Sequence, residues 1–222
     1  MLHTLPYTVD LTLLNEAQGS IPSVESKLTI NQPTGNFFYD PWEVKEEFKG
    51  TVWETLLNTL PLDIGEARII ALAHGTTYMS HTDIDDRYHL SITGQYSFLI
   101  NVDDEKMYPT VADGQWYEMN TGLRHVAANF GSYDRAQLVV RKLLNNASLE
   151  NYTNVIIKPS CKNPRFEFDD LISPLLNSIN KQQLINNFSI LQDGVSFNLS
   201  TSAINELDCI DRNKFNIQLC ET

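Results

Sequence analysis

The sequence predicts a mainly β fold, a sandwich or jelly roll (double-stranded β-helix) with flanking helices, and three observations carry that expectation. Seven short β-rich runs follow one another between Ala67 and Leu143. Turn residues separate them at intervals of about ten. No stretch of helical periodicity interrupts them, which excludes a doubly wound α/β sheet, whose parallel strands need a helix in each crossover. Closure as an antiparallel sandwich is the natural outcome. The 222 residues, 42% hydrophobic and 10% aromatic, suffice for one sizeable core. They are too apolar for a disordered chain.

Taken in order, residues 1–40 are mixed, with turn signals at Gly19-Ser20, Pro22 and Gln32-Pro33-Thr34-Gly35, and Lys27–Ile30 reads as a short strand. Asp40-Pro41 reads as a helix N-cap followed by proline at the first helical position. Val44, Phe48, Val52, Trp53, Leu56, Leu57 and Leu60 then recur at spacings of three and four as far as Pro61. That pattern predicts an amphipathic helix over 41–60 with its apolar stripe on a sheet. The seven strand runs are Ala67–Ala73, Tyr88–Thr93, Tyr96–Val102, Met107–Val111, Gln115–Met119, His125–Phe130 and Ala136–Leu143. Beyond about residue 145 the chain turns polar and Asn-rich. Leu171, Ile172, Leu175, Leu176, Ile179, Leu184 and Ile185 predict one or two helices within Asp169–Phe188, interrupted at Pro174, before weakly patterned strand or loop. The expected organisation is a core of residues 1–145, including the N-terminal extension and the 41–60 helix, with a partly helical accessory segment, 146–222, packed on it.

The charge balance, 28 acidic against 16 basic residues for a net −12, argues against a nucleic-acid partner, because affinity for phosphate comes from clustered Lys and Arg. It gives no reason to expect a membrane surface. The start, Met1-Leu2-His3-Thr4-Leu5-Pro6, has no basic region and no apolar run of signal length, and nowhere do about 18 apolar residues run together. A soluble, cytoplasmic protein is expected. Cys161, Cys209 and Cys220 are odd in number and form no CxxC pair, so neither a disulfide framework nor a zinc site is indicated. Asn-x-Ser/Thr triplets at Asn146, Asn151, Asn187 and Asn198 read as chance products of the composition. The expected partner is a small molecule or a peptide, with a homodimer through the C-terminal segment left open.

Two of the five histidines and one aspartate make a set. His81-Thr82-Asp83 lies between two strand runs; in extended chain, residues i and i+2 face one side. His125 opens a later strand, which a jelly roll can bring alongside. Two imidazoles and one carboxylate leave positions open on a metal, the facial arrangement of non-haem Fe(II) oxygenases. Arg135 follows His125 by ten residues across the Gly131–Asp134 turn and offers a guanidinium for a carboxylate; the plain alternative is a surface arginine paired with Asp134 or Glu118. Arg124 should face the opposite side from His125 and read as surface. Asp85 and Asp86 read as members of a solvated loop. Trp116 and Tyr88 are core residues or pocket walls, and Asn129, on the same face as His125, is a candidate to brace the metal ligands.

Three stretches resemble the Fe(II)/2-oxoglutarate-dependent dioxygenases, in particular the aspartyl/asparaginyl β-hydroxylase-like branch, and are also similar to the bacterial free-proline hydroxylases. They are His74-Gly75-Thr76-Thr77-Tyr78-Met79-Ser80-His81-Thr82-Asp83, then Arg87-Tyr88-His89-Leu90, then Asp113-Gly114-Gln115-Trp116 through His125 and Asn129 to Arg135. Together they cover roughly residues 67–143. The resemblance implies that His81, Asp83 and His125 ligate Fe(II), and that Arg135 pairs with the distal carboxylate of 2-oxoglutarate. It places Arg87 and His89 along the cosubstrate pocket, Arg87 as the direct contact. It implies O₂ as second cosubstrate, succinate and CO₂ as products, and hydroxylation of an amino-acid side chain, free or within a peptide or protein. His74 stands where the family has proline. Asp83 is present where typical aspartyl β-hydroxylases lack the carboxylate, which moves the expectation toward free amino acids. Two alternatives share the fold: a non-catalytic, cupin-like metal- or ligand-binding protein, and a metal-dependent isomerase or hydrolase.

Overall fold

The computed structural model describes residues 2–21, 27–160 and 168–220; the Pro22 turn and Cys161 lie outside them. The fold is mainly β, with antiparallel sheets. The chain divides into two compact units, Met1–Ser80 with Asp85–Leu143, and His81–Ile84 with Leu144–Thr222.

The first unit holds two main sheets. One contains β1 (Leu2–Thr8), β2 (Lys27–Thr29), β5 (Ile64–Leu72), β7 (Arg87–Thr93), β10 (Gln115–Met119) and β12 (Arg135–Lys142), in the order β1-β10-β7-β12-β5-β2. The other is β6 (Thr76–Thr77), β11 (His125–Asn129), β8 (Ser97–Asn101) and β9 (Lys106–Pro109), in that order. Each of the seven expected runs overlaps one of these strands, β5, β7, β9 and β12 beginning one to three residues earlier than expected. Strand β1 lies outside the predicted set and pairs with β10.

The six-stranded sheet is covered on both faces, and the two faces differ in kind. Tyr88, Leu90 and Ile92 of β7 and Ala136, Leu138 and Val140 of β12 join Leu14 and Ala17 of α1 (Leu11–Gly19) and Val52, Trp53, Leu56 and Leu57 of α2 (Val52–Asn58) in one apolar cluster. On the other face Leu72 and Met119 meet Leu99 and Ala127 of the four-stranded sheet, so the two sheets pack face to face. The intervening positions of β7 and β12, on that inner face, include the buried polar residues Arg87, His89, Ser91, Arg135 and Gln137, with Val139 an apolar exception. Strand periodicity thus sends apolar side chains to the helices and most of the polar ones between the sheets.

The helix expected over 41–60 forms only at Val52–Asn58. Trp42–Val44 is instead β4, paired with β3 (Asn31–Pro33), and Glu46–Phe48 is a single 3₁₀ turn. Asp40 does not cap a helix; its carboxylate accepts the backbone N–H of Asn36. The break falls at Gly50, whose φ of +71° favours glycine. Thr51 behind it is the N-cap in fact, accepting from the N–H of Trp53.

The second unit is built on a sheet ordered β14-β15-β13-β16, from β13 (Tyr152–Pro159), β14 (Ile185–Leu191), β15 (Gly194–Ser200) and β16 (Phe215–Cys220). Between β13 and β14 lie a π-helical turn, Phe168–Ile172, and one α-helix, α3 (Ser173–Lys181). Pro174 opens that helix rather than interrupting one, since the first turn has no use for its missing N–H. Leu184 and Ile185 leave the expected helix because Gln183 takes a positive φ of 58° and turns the chain into β14. Val155, Ile157, Leu176, Ile179, Phe188, Phe197 and Phe215 are fully buried here. Asn154, Asn198 and Asn186 form an amide ladder across three strands. Cys209 and Cys220 are free thiols at the surface. No helix among the described residues is long and apolar enough to cross a membrane.

Two substitutions probe this frame. Leu138→Ala empties a fully buried position under the helices and should cost about 2–5 kcal/mol, read from urea unfolding. Gly114→Ala adds a Cβ 2.3 Å from the carbonyl oxygen of Val9 at a φ of +79°, so its unfolding midpoint should drop.

Candidate metal centre

His81 and Asp83 stand on the segment that joins β6 to β7, with His81 Nε2 3.8 Å from Asp83 Oδ2. His125 is the first residue of β11 and pairs with Asn101 of β8. One ligand atom from each of His81, Asp83 and His125 lies within 4.8 Å of the other two. The His125 ring is oriented by its own strand end: Nδ1 lies 2.9 Å from the carbonyl of Leu123. Nδ1–H donates to that oxygen, so Nε2 carries the lone pair a metal requires. His125 is buried, while His81 and Asp83 are partly exposed. Two imidazole nitrogens and one carboxylate oxygen suit a divalent first-row ion, and the group can hold a metal ion. A single carboxylate leaves such a dication with a net positive charge.

The stretch following these residues is fixed by a buried knot. Asp85 and Asp86, expected in a solvated loop, are both buried. The Asp85 carboxylate accepts from Arg87 Nη1 and lies 3.1 Å from Arg141 Nε. Its backbone carbonyl accepts from Arg87 Nη1 at 2.8 Å and from Thr121 Oγ1 at 2.7 Å. Asp86 Oδ1 accepts the N–H of Thr121, and the Asp86 carbonyl accepts that of Lys142. A carboxylate is tolerated inside a protein when it is paired and hydrogen-bonded in this way. The knot also engages Arg87: the arginine expected as the direct cosubstrate contact donates to Asp85. Arg141 packs its guanidinium over the rings of Phe37 and Phe38, at 4.9 and 5.4 Å.

On the inner sheet face Arg135 is only 2% exposed. It donates through Nη2 to Gln137 Oε1 and through Nε to Thr110 Oγ1 at 3.4 Å. Among the described residues no carboxylate pairs with it, so neither Asp134 nor Glu118 serves as its partner. Burial lowers its pKa to about 10, opposed by Tyr78, and it stays cationic at neutral pH. His89 is 7% exposed; its Nδ1 lies 3.2 Å from Gln137 Oε1, and its Nε2 is buried with no hydrogen-bond partner. Burial drives the pKa of this ring down to about 3; the Gln137 bond opposes the shift, and the charges of Arg135, His125 and Arg87 add to it. Gln137 completes the network by donating through Nε2 to Ser91 Oγ at 3.0 Å.

Gln137 is the participant that residue-type reasoning missed. The signal was present, since it lies two residues beyond Arg135 on one strand and so shares its face. Three other expected residues serve elsewhere. Trp116 and Tyr88 belong to the apolar cluster under the helices, where the Trp116 indole donates to Thr59 Oγ1. Asn129 spends its amide on the chain: Nδ2 donates to the carbonyls of Leu72 and Tyr133, and Oδ1 accepts the N–H of Gly131. It braces the 129–133 turn rather than a metal ligand. Arg124 is partly exposed beside Asp103, as a surface residue would be.

Comparison with known proteins adds little. No family model matches the chain, and no curated protein matches it. Among solved structures, the crystal structure of CapF with the inhibitor 3-isopropenyl-tropolone aligns at a TM-score of 0.30 and 17% identity, over 37% of this chain and 26% of that one. The chain thus spans about a quarter of that protein's length, and a likeness of this size carries no argument about fold or function.

Proposed function

We propose that the chain is a jelly-roll Fe(II)- and 2-oxoglutarate-dependent dioxygenase that hydroxylates an amino-acid side chain, free or within a peptide. The observation that carries the proposal is Arg135, a buried cation on the inner sheet face with neutral oxygens as its protein partners, in the same chain as a two-histidine, one-aspartate group. Burying a guanidinium without an anion costs several kcal/mol. A ligand carboxylate, held through two parallel hydrogen bonds, offsets that cost and orients the molecule that carries it. His81, Asp83 and His125 would hold the iron, and their single negative charge leaves it attractive to a second anionic group of the same ligand. With iron bound, 2-oxoglutarate and O₂ supply the oxidising power that places a hydroxyl on an unreactive C–H bond, yielding succinate and CO₂.

The chain's own residues bind and position. Arg135 fixes one end of the cosubstrate, and Gln137 and Thr110 hold the guanidinium in place. The Leu123 carbonyl sets the His125 ring so that Nε2 is the ligating atom. The apolar contact of Leu72, Met119, Leu99 and Ala127 keeps bulk water out from between the sheets, which strengthens each charged contact there.

Succinate formation decides the matter. Purified protein with Fe(II), ascorbate and 2-oxoglutarate should produce succinate in the presence of some member of a panel of free amino acids and short peptides. Protein that neither binds 2-oxoglutarate nor forms succinate refutes the proposal. Arg135→Met should weaken 2-oxoglutarate binding by about 30- to 100-fold, the loss of a charge-assisted pair, while Fe(II) affinity by equilibrium dialysis changes little; equal loss of both would make Arg135 a purely structural residue. His81→Ala and Asp83→Ala should each lower Fe(II) retention by about 10-fold or more, and retention by both variants would place the ion elsewhere.

A further inference from the structure

The amide of Gln137 is satisfied at both ends, and its orientation is dictated by its neighbours. Arginine offers hydrogen-bond donors and no acceptor. The Gln137 atom facing Arg135 Nη2 is therefore the oxygen, since a flipped amide would set two donors against each other in a buried place. The other end agrees, with Nε2 donating to Ser91 Oγ at 3.0 Å. That same oxygen, Oε1, lies 3.2 Å from His89 Nδ1. The neutral imidazole must then carry its proton on Nδ1, which leaves a lone pair on Nε2. No group among the described residues meets that lone pair.

The surroundings favour the neutral ring. Arg87 lies on the same strand, Arg135 on the adjacent β12, His125 on β11, and Tyr117 is the residue paired with His89 from β10. None of these is an anion at neutral pH, and the Tyr117 hydroxyl is itself held above its ordinary range by burial. Arg135 and His89 hang from one oxygen, and an anion paired with this guanidinium is taken to stand beside the imidazole. A carboxylate oxygen and a bare nitrogen lone pair repel each other unless a proton lies between them.

We infer that Gln137 fixes His89 as a hydrogen-bond acceptor at Nε2, so that a carboxylate ligand enters this site together with one proton, shared between Nε2 and the carboxylate oxygen. The proton comes from solvent, and no other group gives one up. Gln137 is thus a positioning residue acting through His89. The identity of the ligand, 2-oxoglutarate, rests on the dioxygenase proposal. The tautomer rests only on the contacts of Gln137.

Two measurements on the wild-type chain test the two halves. Long-range ¹⁵N–¹H correlation spectra of the histidine rings, on ligand-free protein loaded with diamagnetic Zn(II) and with His89 assigned by His89→Gln, should show a protonated Nδ1 and an unprotonated Nε2. A ring protonated on Nε2, or a mixture of the two tautomers, overturns the lock. Calorimetric titration of 2-oxoglutarate into anaerobic, Fe(II)-saturated protein, in buffers of different ionisation enthalpy, should show uptake of about one proton per ligand. The Kd should rise about tenfold per pH unit between pH 6 and 8. Binding without uptake overturns the second half. His89→Gln should bind with no uptake, and Gln137→Met, which removes the acceptor from Nδ1, should show mixed tautomers and uptake well below one. Full uptake in Gln137→Met would overturn its assigned role. If wild-type protein does not bind 2-oxoglutarate at all, the dioxygenase proposal and the proton uptake fall together, and the ring spectrum still decides the lock.

Discussion

Arg135 sets the terms for the interior of the sandwich. A guanidinium taken from water into a protein loses hydration worth several kcal/mol, and side-chain oxygens recover only part of it. Here the compensation comes from Gln137 Oε1 and Thr110 Oγ1. Thr110 is itself tied to Ser97 at 2.6 Å, and Gln137 to Ser91 and His89. The polar residues of β7, β8 and β12 are therefore parts of one arrangement that keeps a cation buried. An interior built only for stability would hold apolar side chains there, because replacing buried ionic groups with well-packed apolar ones is often neutral or stabilising.

That arrangement is possible because the six-stranded sheet has two buried faces. The face under α1 and α2 carries Leu90, Ile92, Leu138 and Val140 and supplies the hydrophobic stabilisation. The opposite face is thereby released from the need to be apolar along its whole length, and a small cluster around Leu72 and Met119 joins the two sheets. Apolar packing and the buried polar network are carried largely by alternate residues of the same strands.

The Asp85 knot gives Arg87 and Arg141 a different job from Arg135 on the same sheet. Arg87 and Arg141 share a buried carboxylate, and with Thr121 they hold the chain immediately after the His81–Asp83 stretch. Among the described residues, no such acid pairs with Arg135. Cations of the same face thus differ in whether an acid neutralises them, and the difference comes from one aspartate two residues before Arg87.

Much of the fold was legible in the sequence because period-two alternation and turn residues are local. The seven central strands and the grouping of residue types at His81, Asp83 and His125 follow from order and spacing along the chain. The helix over 41–60 was misread because its apolar spacing continued through Gly50, where the backbone, not the side chains, ends the pattern. Asp85 and Asp86 were misread because charge next to a turn ordinarily signals solvent, and only the folded chain brings Arg141 and Thr121 to meet them. Trp116, Tyr88 and Asn129 carried residue types suited to a site, but which face of a strand is inward depends on what covers the sheet. The sequence by itself thus determined the strands and the inventory of metal-binding and cationic groups. The tertiary structure alone decided which cation is neutralised, which histidine nitrogen carries a lone pair, and that Gln137 links them, because each of those depends on contacts between residues distant along the chain.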